Sequence, residues 1–338
     1  AFATAGAAGV VREFALDVKA LTVAPLRVSR ELGFPLSGLA AFSKKGGSSN
    51  ASTTLVATST FESVFEFLDA KSLERTRATL AGNDDEVTDS DFLDEKGEVV
   101  VLATNSDAVR VHSFGAGSAD PDAEVEADAE AEPLRVRGTT LLRGHTAAVL
   151  SVSASVAGGF FVTGSKDQTA RVWDSKSLRC LGVCTGHTDT VASVSATSSA
   201  TTRVFVTSGQ EDGSIRVWLA PAVAAAPSSA DARHEAEDEE PPSLAPMAHK
   251  TVHAKPITDV CLSLHDQLIA TSSLDKTAKV WRLEVDWPSK RATVTLQAEL
   301  KGHRRAVHSV RFSAVDRVAI TSSSDATAKV WSLDGACV

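Results

Sequence analysis

The chain repeats one phrase four times, and that repetition constrains its fold more than any other feature. The copies are Phe161–Trp173 (FVTGSKDQTARVW), Phe205–Trp218 (FVTSGQEDGSIRVW), Leu268–Trp281 (LIATSSLDKTAKVW) and Val318–Trp331 (VAITSSSDATAKVW). Each runs through β-branched and small residues to an Asp and ends on a Trp: Asp167/Trp173, Asp212/Trp218, Asp275/Trp281 and Asp325/Trp331. A hydroxyl stands four residues before each Asp, at Thr163, Ser208, Thr271 and Thr321. A His precedes each phrase, at His145, His187, His253 and His303, and lies 28, 31, 28 and 28 residues before the Trp. An apolar run, a tight turn at the Asp and a returning strand describe a hairpin. A buried Trp must give its indole N–H an acceptor, and a His, a hydroxyl and a carboxylate can relay hydrogen bonds from the loop through the strand to it. These residues are therefore read as structural tetrads. The competing reading is a catalytic Ser–His–Asp set. It would require four copies of one active site with hydroxyls in mid-strand, whereas buried polar groups ordinarily satisfy one another.

Three weaker copies precede these, at Phe2–Phe14, Leu55–Phe67 and Val100–His112. They keep strand, turn and strand but lose the tetrad. Phe14, Phe67 and His112 stand for Trp, and Ala8, Phe61 and Ser106 stand for Asp. Neighbouring repeats can still supply their buried surface. A long period stretched by insertions, short strands and a Gly-His…Trp-Asp signature indicate an all-β fold, a WD-repeat β-propeller. Only Trp173-Asp174 keeps the full dipeptide. Repeat quality changes abruptly between 115 and 143. Residues 1–142 are therefore expected to end one propeller with three degenerate blades, and residues 143–338 to open a second with four well-formed ones.

Composition sets the outer limits. The 338 residues are 43% hydrophobic and 23% charged, and no apolar run reaches transmembrane length. Four cysteines are too sparse for a disulfide framework, which fits a reducing compartment. Cys180, Cys184 and His187 could suggest a metal, but alternation of the cysteines on an outer strand, with no fourth ligand in view, favours no metal and no cofactor. The net charge of −9 is concentrated: residues 118–133 hold seven acids and residues 231–240 hold six. Without those two stretches 33 bases face 30 acids. Residues 118–133 and the Pro/Ala-rich 221–246 hold too few large apolar residues to fold alone and are expected to be disordered loops. Residues 44–52 form a Gly/Ser-rich turn insertion. The chain starts without Met inside a strand-like run and stops just after a turn, so it is expected to be a fragment.

Four stretches in order, Leu102–Phe114, Phe161–Trp173, Leu268–Trp281 and Leu300–Ser313, resemble the transducin-beta-like family of WD-repeat proteins. That family supplies a tandem-propeller subunit to the UTP-B subcomplex of the small-subunit processome. The resemblance implies a nuclear, nucleolar scaffold for processing pre-18S ribosomal RNA. Its implied partners are other WD-repeat UTP-B subunits, with pre-rRNA and the U-three small nucleolar RNA held directly or through them; no membrane or small-molecule substrate is implied. The acidic insertions and the Thr/Ala/Ser-rich spelling depart from the family. A single-ring signalling or chromatin scaffold is one alternative. A ubiquitin-ligase substrate receptor is another, weakened because Lys176 stands where Arg is usual after Trp173-Asp174. An enzyme is disfavoured: the chain has no phosphate-binding Gly-rich loop with Lys, no HExxH and no nucleophile elbow.

The His turns and Asp turns of a propeller open on one face. Lys166, Glu211, Leu274 and Ser324, with Leu150, Ala192, Thr258 and His308, are expected to line it. One turn is unusually basic: Lys301, Arg304, Arg305, His308 and Arg311 are the candidate contacts for RNA or an acidic protein.

Overall fold

The computed structural model describes residues 2–4, 10–17, 22–32, 38–43, 53–58, 64–69, 72–73, 75–80, 85–115, 135–197, 199–222, 240–263, 265, 267–313 and 317–337. Ala8, Phe61, the insertion at 44–52, the acidic stretch 118–133 and residues 223–239 lie outside them. The described residues form seven sheets of short strands, antiparallel apart from one added parallel strand, and the chain falls into two compact units, Ala1–Gly144 and His145–Val338.

The first unit holds three sheets. The first has Phe2–Thr4, Arg12–Asp17 and Thr22–Val28; the second Gly38–Ser43, Thr53–Thr58, Val64–Asp69 and Arg75–Leu80. The third has Val87–Phe92, Val99–Thr104, Val109–Gly115 and Arg135–Leu142. In the third sheet His112 pairs with Val100, the place that Trp takes elsewhere, and it is buried. Leu102 fills the position opposite Arg110, where the well-formed repeats carry a hydroxyl. His112 turns instead to Thr139, 2.9 Å from Nδ1, and its Nε2 is buried with no hydrogen-bond partner among the described residues. Burial, reinforced by Arg110, pushes its imidazole down.

The second unit holds four sheets. The fourth sheet has Val149–Ser155, Phe160–Ser165, Ala170–Asp174 and Cys180–Cys184; the fifth has Val191–Ala196, Val204–Gly209, Ser214–Leu219 and Ala248–Thr251. The sixth has Ile257–Leu262, Leu268–Ser273, Thr277–Asp286 and Arg291–Lys301, and the seventh Val307–Phe312, Val318–Ser323 and Ala328–Ser332. Second strands such as Phe160–Ser165 and Val204–Gly209 are buried along their whole length. Phe160 and Val162 pack against the fifth sheet and Val204 and Val206 against the sixth, and these strands read as continuous apolar and small residues instead of alternating.

Three of the tetrad tryptophans join their own sheet to the one before. Trp218 lies with Phe160, Val162 and Cys184 of the fourth sheet, Trp281 with Val204, Val206 and Val217 of the fifth, and Trp331 with Val280 and Leu300 of the sixth. The first strands add a second seam. Val194 N–H donates to Ser151 Oγ at 3.2 Å, Val260 N–H to Ser193 Oγ at 3.1 Å and Val310 N–H to Asp259 Oδ2 at 3.0 Å. Ser151, Ser193 and Asp259 occupy one register position, each just past a bulge, so one column of short polar side chains satisfies the edge amides of the next sheet.

One expectation is corrected here. Residues 221–246 are not a loop throughout: Ser243–Leu244 runs parallel to Val183–Cys184 and makes the fourth sheet five-stranded, so Cys180–Cys184 is not its outermost strand. Val183 N–H donates to the Pro242 carbonyl at 2.9 Å, and Leu244 covers Gly182, where any side chain would collide with it. Pro241-Pro242 restricts the backbone before this step to extended conformations, which lowers the entropy lost on pairing.

Candidate functional site

Each hairpin of the second unit brings its tetrad together in the same order. In the fourth sheet Trp173 Nε1–H donates to Thr163 Oγ1 at 2.9 Å, Thr163 Oγ1 lies 2.8 Å from His145 Nε2, and His145 Nδ1 lies 2.8 Å from Asp167 Oδ2. Trp281, Thr271, His253 and Asp275 repeat this at 3.0, 2.8 and 2.7 Å, and Trp331, Thr321, His303 and Asp325 at 2.8, 2.8 and 3.0 Å. The indole can only donate, so the Thr oxygen accepts from it, and the His bridges that hydroxyl at Nε2 and the carboxylate at Nδ1, where its N–H donates. The carboxylate meets the His and not the Trp, so the relay runs Trp–Thr–His–Asp.

In the fifth sheet the hydroxyl is Thr207, not Ser208. Trp218 Nε1–H donates to Thr207 Oγ1 at 2.9 Å, which lies 2.8 Å from His187 Nε2, and His187 Nδ1 lies 3.0 Å from Asp212. Ser208 is buried and donates to the Ser193 carbonyl. The turn here is one residue longer, so counting back four from Asp212 stops one residue short of Thr207. Pairing identifies the right residue: Thr207 faces Arg216 as Thr163 faces Arg171, Thr271 faces Lys279 and Thr321 faces Lys329.

The basic residue two before each Trp also has a place. Arg216 donates to the Gly186 carbonyl at 2.6 Å and Lys279 to the Val252 carbonyl at 2.8 Å, just before the His turns. Lys279 and Lys329 lie 5.9 and 6.0 Å from the centroids of Trp281 and Trp331, within reach of a cation–π attraction. Gly186 has φ +115°, and a β-carbon there would sit 3.1 Å from the Arg216 guanidinium. The Gly-His step is thus both left-handed and crowded.

Thr–His–Asp geometry is that of a hydrolytic triad, yet nothing can reach it. Thr163, Thr207, Thr271 and Thr321 have no exposed surface, and the indole already holds the oxygen a substrate would need. The tetrads do carry buried charge. Burial alone would raise Asp167, but hydrogen bonds from His145, Thr169 and the Thr146 amide outweigh it and hold the carboxyl well below its ordinary range. Asp212 and Asp275 are depressed by the same opposition, through His187 and Ser214 and through Thr277 and His253. Burial pushes the His253 imidazole down, against the pull of Asp275.

Both shifts mean that the unfolded chain binds more protons than the native one as pH falls. Stability present near neutrality is therefore lost on acidification: first through His253 below about pH 6.5, then through the carboxylates below about pH 4. We expect the melting temperature to fall from pH 7 to pH 3 and Asp167→Asn to flatten the lower part of that fall. A melting temperature constant across the range would show that the tetrads carry no buried charge.

The surface residues around the tetrads divide. Lys166, Glu211, Leu274, Ser324 and His308 are exposed; Leu150, Ala192 and Thr258 are half-buried. The five basic residues around the turn from the sixth sheet into the seventh do not form one free patch. Lys301 pairs with Glu299 at 2.8 Å, Arg311 pairs with Asp259, and His308 bonds Ser324. Arg304 and Arg305 are exposed, and among the described residues neither guanidinium meets a carboxylate. The Arg304 amide caps Asp325 at 2.9 Å, which fixes this turn to the tetrad.

Comparison with known proteins agrees with this geometry. The WD domain, G-beta repeat family matches residues 136–174, 178–218, 246–282 and 294–332. Transducin beta-like protein 3 of Bos taurus is 31% identical over 242 residues, 71% of this chain and 26% of that protein. U3 small nucleolar RNA-associated protein 13 of Saccharomyces cerevisiae is 28% identical over 238 residues, 68% of this chain and 25% of that protein. Ribosome biogenesis protein WDR12 homolog of Drosophila erecta is 32% identical over 152 residues, 43% of this chain and 34% of that protein. The chain thus spans about a quarter of the length of the first two relatives. With its Trp–Thr–His–Asp hairpins and four matched repeats, the chain belongs to the WD-repeat β-propeller proteins and is similar, over most of its length, to transducin beta-like protein 3.

Proposed function

We propose that this chain is a non-catalytic scaffold of the nucleolar small-subunit processome, acting in pre-18S ribosomal RNA processing. The observation that carries this reading is the similarity, along most of the chain, to relatives named for U3 small nucleolar RNA association and as transducin beta-like protein 3. Residues 1–142 end one propeller and residues 143–338 open a second, in keeping with the change in repeat quality at their junction. The partners are other WD-repeat subunits of the UTP-B subcomplex, with pre-rRNA and the U-three RNA contacted directly or through them. The sites are buried hydrogen-bond relays that hold rigid hairpins, so function resides in what the exposed turns touch.

Arg304 and Arg305 are the proposed phosphate contacts. Their turn is anchored through Asp325, and their charges are free of protein partners among the described residues. Replacing both with Ala should weaken retention of pre-ribosomal RNA without lowering the melting temperature. The lost affinity should shrink as salt is raised, because fewer counterions are released. Unchanged RNA retention at low salt would reduce this pair to ordinary surface, and the scaffold would then meet RNA only through its protein partners.

A further inference from the structure

The sixth sheet differs from its neighbours at the end opposite the tetrad turns. Its last two strands, Thr277–Asp286 and Arg291–Lys301, run to 10 and 11 residues, where the equivalent strands of the fifth sheet have 6 and 4. The extra length alternates strictly. Leu283 and Val294 are buried, and with Val285 and Ala292 they lie against the fifth sheet. Ala292 N–H donates to the Met247 carbonyl at 3.1 Å, and Lys250 Nζ to the Val294 carbonyl at 2.7 Å. The hairpin is therefore held firmly along one face.

Its tip presents Trp287, which is 46% exposed while the four tetrad tryptophans are all buried. Beneath it opens a pocket of about 510 Å³, lined by Arg282, Glu284, Gln297, His265 and Arg317 as well as Trp287. Arg282 and Arg317 are exposed, and among the described residues neither pairs with a carboxylate. Leu283 and Val285 contribute to its wall, and the tetrads do not.

We propose that this pocket is a docking site for a protein partner, a short segment that sets carboxylates against Arg282 and Arg317 and an apolar side chain against Trp287. Trp and Arg are the side chains that dominate binding energy at protein interfaces, and a pre-anchored hairpin loses little entropy when it is used. Nucleic acid fits less well. Glu284 lies in the pocket wall and Asp286 beside the tip, and such acids repel phosphates, whereas nucleic-acid surfaces are strongly positive. The site stands apart from Arg304 and Arg305 and does not depend on the processome reading.

The test selects short randomised peptides on the intact chain and reads iodide quenching of tryptophan, which reports chiefly Trp287. Selected peptides should carry two or more acids beside a large apolar residue and should shield Trp287. Trp287→Ala, and Arg282→Ala with Arg317→Ala, should each weaken them about tenfold or more. Arg304→Ala with Arg305→Ala should leave them unchanged. The proposal is overturned if selection yields no binders, if the binders lack acids or ignore the Trp287 and Arg282/Arg317 variants, or if oligouridine shields Trp287 and the peptides do not.

Discussion

Trp281→Ala should destabilise the second unit by about 3–5 kcal/mol, the range for emptying a core aromatic site. Trp281 is 4% exposed and lies with Val204, Val206 and Val217 of the preceding sheet, so its loss opens a cavity at the junction of two sheets. It also removes the donor to Thr271, leaving a buried oxygen with one partner fewer. Lys276→Ala is the matched control. Lys276 is exposed in the same turn, at φ 73°, and Ala carries the same β-carbon there. Equal losses in urea midpoint for the two variants would contradict the tetrad as the source of rigidity.

The second large effect should come from Asp259→Ala. Asp259 is buried and accepts from Ser193 Oγ at 3.0 Å, Ser309 Oγ at 2.8 Å, the Val310 amide at 3.0 Å and Arg311. Truncation leaves the buried Val310 N–H without its acceptor and removes one partner of Arg311, at about 2–3 kcal/mol. Asp259→Ser should recover part of that, because Ser151 and Ser193 do the same work from the same register in the two preceding sheets. If the Ser variant unfolds at the urea concentration of the Ala variant, hydrogen bonding to Val310 is not what the position supplies.

The residues show how far a linear reading reaches. The tetrads announce themselves because a buried indole needs an acceptor, and His, Thr, Asp and Trp recur at fixed spacing. Spacing points to Ser208 because the turn before Asp212 is one residue longer than the others; the pattern aromatic or aliphatic–x–Thr before each turn, or the basic residue two before each Trp, selects Thr207. The column of Ser151, Ser193 and Asp259 has no signature in the sequence, since short polar residues between valines look like strand filler until a neighbouring edge lies beside them. Ser243–Leu244 could not be seen at all: its partner strand lies some sixty residues earlier, and its pocket exists because Gly182 has no side chain. The basic cluster was legible as composition, but the carboxylates that occupy Lys301 and Arg311 come from the sixth sheet.

The processome reading is tested most directly in cells. With the protein depleted and newly made ribosomal RNA pulse-labelled, mature 18S RNA should fall and its precursor accumulate while the large-subunit RNA continues to form. Restoring the intact protein should reverse the defect, and an Arg304→Ala, Arg305→Ala version should reverse it only in part. Unaltered 18S processing after depletion would contradict the account and leave a WD-repeat scaffold that serves some other assembly.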